Sequence, residues 1–332
     1  ALANARDPAA IRRIWALMGR QGWLATGADR DDRGLRLATV LLAELGRAAC
    51  PAPLIDAVLA NTLLARIGAP TSALAAFLAA LHAGEASVSL VLGAHDGDAH
   101  AGSLGITGGA GETLLSGQAA FVEGTQTATH FLVLTDHPDR VALLAAGFPQ
   151  VSVTATPGFV APFLAEVSFA AAPAQVFQAD ASIVGDLARL ARHCLAARAF
   201  GAASRGFDLI VDYAKERVQF GRKIGQFQAI QHKLANVLMQ VETSRLMLWR
   251  AAAAYDRDDP EWRYAAGAAI SVASPAIRQA CLETHHAFGG VSFWEEHEMP
   301  RHFRRIHADL VRCGGVHAAR EDMARYLEQA KI

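Results

Sequence analysis

The stretch from Glu216 to Ala235 concentrates the side chains best suited to hold an anion. It reads E-R-V-Q-F-G-R-K-I-G-Q-F-Q-A-I-Q-H-K-L-A. A helix ends near Gly221 and a new one starts near Gln226, and the cations Arg217, Arg222 and Lys223 and several amides lie in and around that break. Arg217 offers a planar fork of donors that suits a phosphate. Gln219 and Gln228 can add neutral hydrogen bonds, and Phe220 or Phe227 can cover a flat ring. The same residues also suit a solvated inter-helix loop, and the pattern alone leaves both readings open.

Other candidate chemistries are weaker. His285, His286, His297, His302, His307 and His317 crowd one end of the chain. Zinc ligands on a helix recur three or four residues apart, whereas His297, His302 and His307 are five apart and spiral around it. Adjacent His285 and His286 point apart, so packed or solvated histidines are expected and no metal. Glu295, Glu296, Glu298 and Asp309 form an acidic patch that could hold a general base, but ion pairs with Arg301, Arg304 and Arg305 are the expectation. Trp249, Trp262 and Trp294 read as packing anchors. The cysteines at 50, 194, 281 and 313 form no C-x-x-C pair, which argues against a disulfide framework or zinc ribbon and for a reducing cytoplasm.

The elements that must position these residues fall into three regions. With 52% hydrophobic and 19% charged residues over 332 positions, the chain can build a sizeable core. A net charge of −1 removes the basic footprint of a nucleic-acid binder. No signal or membrane segment is read, so a soluble cytoplasmic protein is expected. Residues 1–84 show helical spacing in Ile11–Leu17 and Leu35–Leu45, and Pro51 and Pro53 seat a further helix over Pro51–Ile67. Residues 85–178 switch to β-branched runs at Val88–Leu92, Thr113–Glu123, Phe131–Thr135, Val151–Thr156 and Phe163–Phe169, which predict a small antiparallel barrel or sandwich. Residues 179–332 return to long helices, Ala181–Val218, Phe227–Arg257, Glu261–Ala287 and Ala318–Ala330, which suggest a four-helix bundle. The fold class is α+β, in the order α, β, α.

Five landmarks in this order resemble the acyl-CoA dehydrogenase family. Arg217 to Ala235 looks like its R-x-x-F-G-x-x-I-x-x-F-Q-x-x-Q-x-x-L-A signature. Glu44-Leu45-Gly46-Arg47, with Pro51-Ala52-Pro53 after it, is similar to the N-terminal helical domain. Leu115 to Val122 resembles a central-domain strand pair, and Glu166-Val167-Ser168-Phe169 with Pro173-Ala174 resembles that domain's exit. Phe288 to His297, F-G-G-V-S-F-W-E-E-H, resembles an H-G-G-x-G-(F/Y)-T-x-E segment. The resemblance implies an acyl-CoA dehydrogenase-like fold with an N-terminal helical domain, a middle small β domain and a C-terminal four-helix bundle. It also implies a flavin shared across subunits: Arg217, Gln219, Phe220, Phe227 and Gln228 would meet the diphosphate and adenosine end of an FAD seated in the neighbouring chain. Gly289 and Gly290 would meet the same FAD. His286 stands where the family usually has Gln, can still donate a hydrogen bond and would meet the same FAD, and Ser292 replaces the third glycine.

Departures from the family are equally specific. Its chemistry is α,β-dehydrogenation of a CoA thioester, in which a carboxylate takes the α-proton. At the two family positions for that base the chain has Cys313 and Ala191, so no catalytic residue is assigned. Arg192 matches the arginine that follows the second position and is expected to meet substrate. The flavin-ring loop T-E-P-x-A-G-S-D aligns with Leu92-Gly93-Ala94-His95-Asp96-Gly97-Asp98-Ala99, and Glu123 takes the place of a flavin-contacting hydroxyl. The cross-subunit half of the flavin site is kept and the reacting half is lost. The resemblance thus implies the short, base-less subunit of a heteromeric FAD-dependent enzyme, paired as α2β2 with a full-length catalytic acyl-CoA dehydrogenase chain. Such enzymes act on acyl-CoA substrates, among them steroid-derived CoA esters, and pass electrons to an electron-transferring flavoprotein. The alternative is a redox-inactive binding or scaffold protein that keeps the fold.

Overall fold

The computed structural model describes residues 7–29, 34–67, 71–93, 103–109, 112–156 and 164–330. Its contacts group into two compact units, Ala1–Gly34 with Pro51–Ala191, and Leu35–Cys50 with Arg192–Ile332. No described helix is long and apolar enough to cross a membrane.

In the first unit, α1 (Pro8–Arg20) begins at an Asp7 cap and turns Ile11, Trp15 and Met18 inward, one residue per turn. Trp15 donates its indole N–H to the Ala86 carbonyl at 2.8 Å, which satisfies the polar tip of an otherwise buried ring. Helix α3 (Leu54–Leu64) is buried at every position and α4 (Ser72–Ala83) runs between a Thr71 cap and Gly84. The strands form two four-stranded sheets. One is ordered β1-β4-β5-β8, with β1 Val88–Val91, β4 His130–Leu134, β5 Arg140–Ala145 and β8 Gln175–Gln178. The other is ordered β2-β3-β7-β6, with β2 Leu104–Gly109, β3 Glu112–Glu123, β6 Val151–Ala155 and β7 Leu164–Pro173. Phe131 on β4 and Phe169 on β7 meet edge to face at 5.8 Å inside a shared core with Val91, Leu115, Val133, Leu144 and Val167. The expectation of an all-antiparallel domain needs one correction: β1 and β4 pair in parallel, Val88 opposite His130. Between them the chain crosses to the other sheet and returns, so the two strands enter from the same end.

The second unit is a helical bundle: α5 (Ala181–Glu216, of which residues from Arg192 belong here), α6 (Gln228–Asp256), α7 (Trp262–Phe288), α8 (Met299–Val311) and α9 (Gly315–Ala330). Ala196, Ala199, Ala202 and Ala203 of α5 pack with Ile270, Ala273 and Ile277 of α7 and Ile306 and Leu310 of α8. Small residues let the helices approach closely. Helix α2 (Leu35–Arg47), which sequence spacing puts with the N-terminal helices, is a member of this unit. A Cβ on Gly46 would lie 1.9 Å from the Arg198 carbonyl oxygen, and one on Gly201 would lie 1.8 Å from that of Ala43. The E-L-G stretch therefore marks a close contact between helices. The Asp256 carboxylate caps the start of α2, accepting from the Leu35 and Arg36 amides at 2.8 and 3.0 Å.

Three arginines of α5 bind the last helices. Arg198 and Asp309 of α8 form a bidentate pair at 2.8 and 2.7 Å, with side chains 2% and 0% exposed. Arg192 pairs with Asp322 of α9, and Arg205 pairs with Glu298 through two bonds at 3.2 and 2.9 Å. Removing one member of a buried pair strands the other charge. Asp309→Ala should cost about 3–5 kcal/mol in chemical denaturation, and Arg198→Met with Asp309→Leu together should recover much of that loss.

Two buried histidines give the fold a pH dependence. The Thr39 hydroxyl donates to the Leu35 carbonyl at 2.7 Å and accepts from His193 Nε2 at 2.9 Å. Burial lowers His193 from 6.5 to about 4. Burial also lowers His302 from 6.5 to about 4, against the opposing pull of Glu298. The unfolded chain therefore takes up these protons before the folded one does. Stability should hold above pH 6.5, fall as pH drops from 6.5 towards 4 and level off below, as far as these groups contribute. Urea titrations across that window should show the slope, and His193→Gln should reduce it.

Candidate functional site

The Arg217 turn is a short hairpin, β9 (Val218–Gln219) against β10 (Arg222–Lys223), paired Arg222 to Gln219 and Lys223 to Val218. Its tip is Phe220 and Gly221, both left-handed at φ 54° and 78°. Two positive φ values suit a tight hairpin, but an aromatic residue there is strained. Phe220 is also 93% exposed. A ring held at a strained tip in water costs stability in two ways and points to a ligand or partner. The hairpin is well anchored: the Arg217 amide donates to the Tyr213 carbonyl at 2.9 Å, and the Ile224 amide donates to the Arg217 carbonyl at 2.8 Å. Gly225 lies so close to α5 that a Cβ would sit 2.8 Å from the Ala214 oxygen. Phe220 and Phe227 meet edge to face at 6.2 Å, and the Arg222 guanidinium covers Phe227 at 4.1 Å.

The sequence-predicted residues separate here into held and available groups. The Gln219 amide folds back on the Val218 carbonyl at 2.7 Å. Arg217 and Gln228 are exposed, and among the described residues Arg217 has no carboxylate partner. The fork expected from sequence is thus free to take an anion from outside.

Gly289 and Gly290 follow α7, whose last residue, Phe288, belongs to a small core with residues of α5, α6 and α8. Ile210, Phe288 and Met299 are buried there with Tyr213 and Leu234 against them, and the Tyr213 and Phe288 rings stand 5.1 Å apart. Gly289 has φ 66° and ψ −143°, a conformation open to glycine alone. A Cβ on either glycine would meet nothing within 4 Å, so both backbones face open space. Ser292 is fully buried, its hydroxyl 2.8 Å from the Gly289 carbonyl and 3.1 Å from that of His285. The serine that replaces the third glycine therefore closes the turn. His286 is exposed beside the glycines and accepts from Lys233 at 3.1 Å, while His285 turns inward and stacks on Phe303 at 4.7 Å. The two histidines point apart, as their adjacency implies, and the described residues contain no metal-ligating cluster.

Arg192, Cys313 and Ala191 are enclosed. Arg192 is buried, paired with Asp322 and donating to the Cys313 carbonyl at 2.9 Å. Cys313 is buried and left-handed at φ 54°, followed by Gly314 and Gly315 at 73° and 51°. Ala191 is buried as well. Glu123 ends β3 opposite Leu164 and is buried. The flavin-loop residues Ala94–Ala99 lie outside the described residues.

The acidic patch forms ion pairs, with two partners other than those expected. Glu295 pairs with Arg304, but Glu298 and Asp309 turn to Arg205 and Arg198 of α5, since α8 packs along that helix. The hydrogen bonds from Arg205 are the main reason Glu298 is held below the usual carboxylate range. Sequence reasoning misses Lys233, whose ammonium pairs with Glu283 and reaches His286. Its signal was rarity, since it is one of four lysines in a chain of 31 basic residues.

Helices, two small sheets and a helical bundle in this order, with an exposed hairpin and a Gly-Gly turn, define the acyl-CoA dehydrogenase fold. Residues 184–327 match the family described as acyl-CoA dehydrogenase, C-terminal domain. The acyl-CoA dehydrogenase IpdE2 of Mycolicibacterium smegmatis is 35% identical over 144 residues, 42% of this chain and 44% of that protein. Its namesake from Mycobacterium tuberculosis is 40% identical over 113 residues, 34% of each. The matched segment thus spans less than half the length of these curated relatives. Among solved structures, the ChsE4-ChsE5 complex from Mycobacterium tuberculosis superimposes with a TM-score of 0.84 at 25% identity, over 96% of this chain and 88% of that one. A Tcur3481-Tcur3483 steroid ACAD variant gives 0.84 at 24% identity, over 99% and 94%.

Ser292 yields a direct test. Ser292→Ala removes the hydroxyl that closes the Gly289–Gly290 turn and should cost about 1 kcal/mol. Denaturation measures the cost, and amide hydrogen exchange should quicken around Gly289 and Gly290 while α5 is unaffected.

Proposed function

We propose that this chain is the short, base-less subunit of a heteromeric FAD-dependent acyl-CoA dehydrogenase. It supplies one half of a flavin site to a full-length catalytic chain, in an α2β2 assembly. The observation that carries the reading is the contrast between two turns. The Phe220–Gly221 hairpin is strained, anchored and open, with the Arg217 fork unpaired by any described carboxylate. At Cys313 the turn is buried, lacks a carboxylate and is tied to Arg192.

The residues present fit FAD. Arg217 binds diphosphate oxygens, Gln228 adds a neutral hydrogen bond, and Phe220 and Phe227 offer ring faces. Gly289 and Gly290 let a ligand approach backbone amides that no side chain shields. When bound, FAD supplies the hydride acceptor for α,β-dehydrogenation of an acyl-CoA. The α-proton then goes to a carboxylate of the partner, because neither family position here holds one. In this chain Arg192 is a positioning residue: its guanidinium neutralises Asp322 and fixes the Cys313 carbonyl. Two-chain assemblies with this fold, one of them described as a steroid ACAD, support a heteromer and a steroid-derived CoA ester as substrate class. An electron-transferring flavoprotein as acceptor and a cytoplasmic setting complete the proposal.

Co-expression with a full-length acyl-CoA dehydrogenase chain should yield a yellow complex. Arg217→Ala should weaken its FAD binding by about one to two orders of magnitude, since charge-assisted bonds are worth roughly 1.5–3 kcal/mol each. Arg217→Lys should recover only part, because a point charge cannot reproduce a fork. FAD titration of the flavin-stripped complexes measures both. A colourless complex would support the redox-inactive scaffold, and equal dissociation constants would overturn the shared flavin.

A further inference from the structure

Lys233 lies on α6, five residues beyond Gln228, and reaches across to α7. Its ammonium pairs with the Glu283 carboxylate and approaches His286 Nδ1 to 3.1 Å. Glu283 is held in place by the Gln279 amide at 2.8 Å. That contact decides the state of the imidazole. An ammonium has three donors and no lone pair, so His286 Nδ1 accepts. A ring nitrogen that accepts carries no proton, and in neutral imidazole the proton then sits on Nε2. Nε2 has no partner among the described residues, and His286 is exposed three positions before Gly289.

We propose that Lys233 is a positioning residue for His286: it fixes the ring's orientation and its Nε2–H tautomer, so that His286 presents a neutral N–H donor to an acceptor oxygen of the ligand beside Gly289 and Gly290. The donor's role rests on the flavin half-site reading, in which that oxygen belongs to a phosphate or ribose. Without Lys233 the ring is free to rotate and to place a bare, repelling lone pair towards the same oxygen. Glu283 and Gln279 complete a relay in which the lysine is aimed by a carboxylate that is itself aimed by an amide. Lys233 thus acts on the ligand through the histidine.

Two measurements test this. In the full chain carrying isotope-labelled histidine, the nitrogen NMR signals of His286 should show a protonated Nε2 and a bare Nδ1 displaced by the bond it accepts. Lys233→Met should return Nδ1 to the position of an unbonded nitrogen and admit the other tautomer. Lys233→Arg, which also only donates, should keep the wild-type signals. Identical His286 signals in the wild type and Lys233→Met, or a protonated Nδ1 in the wild type, would overturn the proposal.

The second measurement is a cycle of FAD titrations on the flavin-stripped complex with the co-expressed full-length chain. Lys233→Met should weaken FAD about three- to tenfold, the worth of one neutral hydrogen bond. In a His286→Gln background it should change nothing, because a glutamine amide donates without a tautomer to set. An equal loss in both backgrounds would mean that Lys233 acts on the ligand directly or through the fold, and would overturn the proposal. A complex that takes up no FAD in any version would overturn the flavin half-site and the donor's role with it, and the NMR comparison would then decide the Lys233–His286 contact alone.

Discussion

Helix α5 is the reference for everything in the bundle, and its buried arginines hold it there. An alanine-rich core packs closely but offers few large side chains to fix one helix against another. The Arg198–Asp309 fork specifies how α8 lies on α5, because two parallel charge-assisted bonds tolerate little rotation. Burying both charges costs desolvation, so the pair contributes more to a unique arrangement than to net stability. Arg205–Glu298 fixes the entry to α8, and Arg192–Asp322 fixes α9. With α8 and α9 placed, the turns at Gly289 and Cys313 are placed as well. With α5 placed, so is the Tyr213 carbonyl from which the hairpin hangs.

The two turns put one backbone conformation to opposite uses. Phe220 and Cys313 share a left-handed backbone near φ 54°. At the hairpin the strain delivers a ring and an arginine to the outside. At Cys313 it encloses a thiol and a carbonyl held by Arg192. A general base needs a carboxylate free to change charge, whereas the acid nearest in the network, Asp322, is committed to a guanidinium. Strain by itself does not mark function here, since Ala49, Ala171 and Asp258 are also left-handed. It becomes informative where exposure and free donors accompany it.

Helix α2 shows the limit of reading a chain in sequence order. Its amphipathic spacing was legible, and it forms over Leu35–Arg47. Its allegiance to the bundle depends on glycines that meet backbone and on an aspartate more than two hundred residues away. No local pattern encodes such a contact. The missed strands β2, β5 and β8 have a related cause. Arg140–Ala145 is rich in residues that suit helices, and only its pairing between β4 and β8 makes it a strand.

The sequence by itself determined the α, β, α order, the long helices and the cation- and amide-rich turn between two of them, because periodicity and a spaced motif are local or linear properties. The opposite directions of the adjacent His285 and His286 were legible for the same reason. Tertiary structure alone decided which charges are spent. Arg192 and Arg217 look alike in the sequence, yet one is buried against Asp322 and the other stands in solvent without a described carboxylate. It likewise decided that Ser292 closes the turn and that Lys233 faces His286. Pairing between distant side chains is set by how helices pack, and a linear pattern carries no record of that.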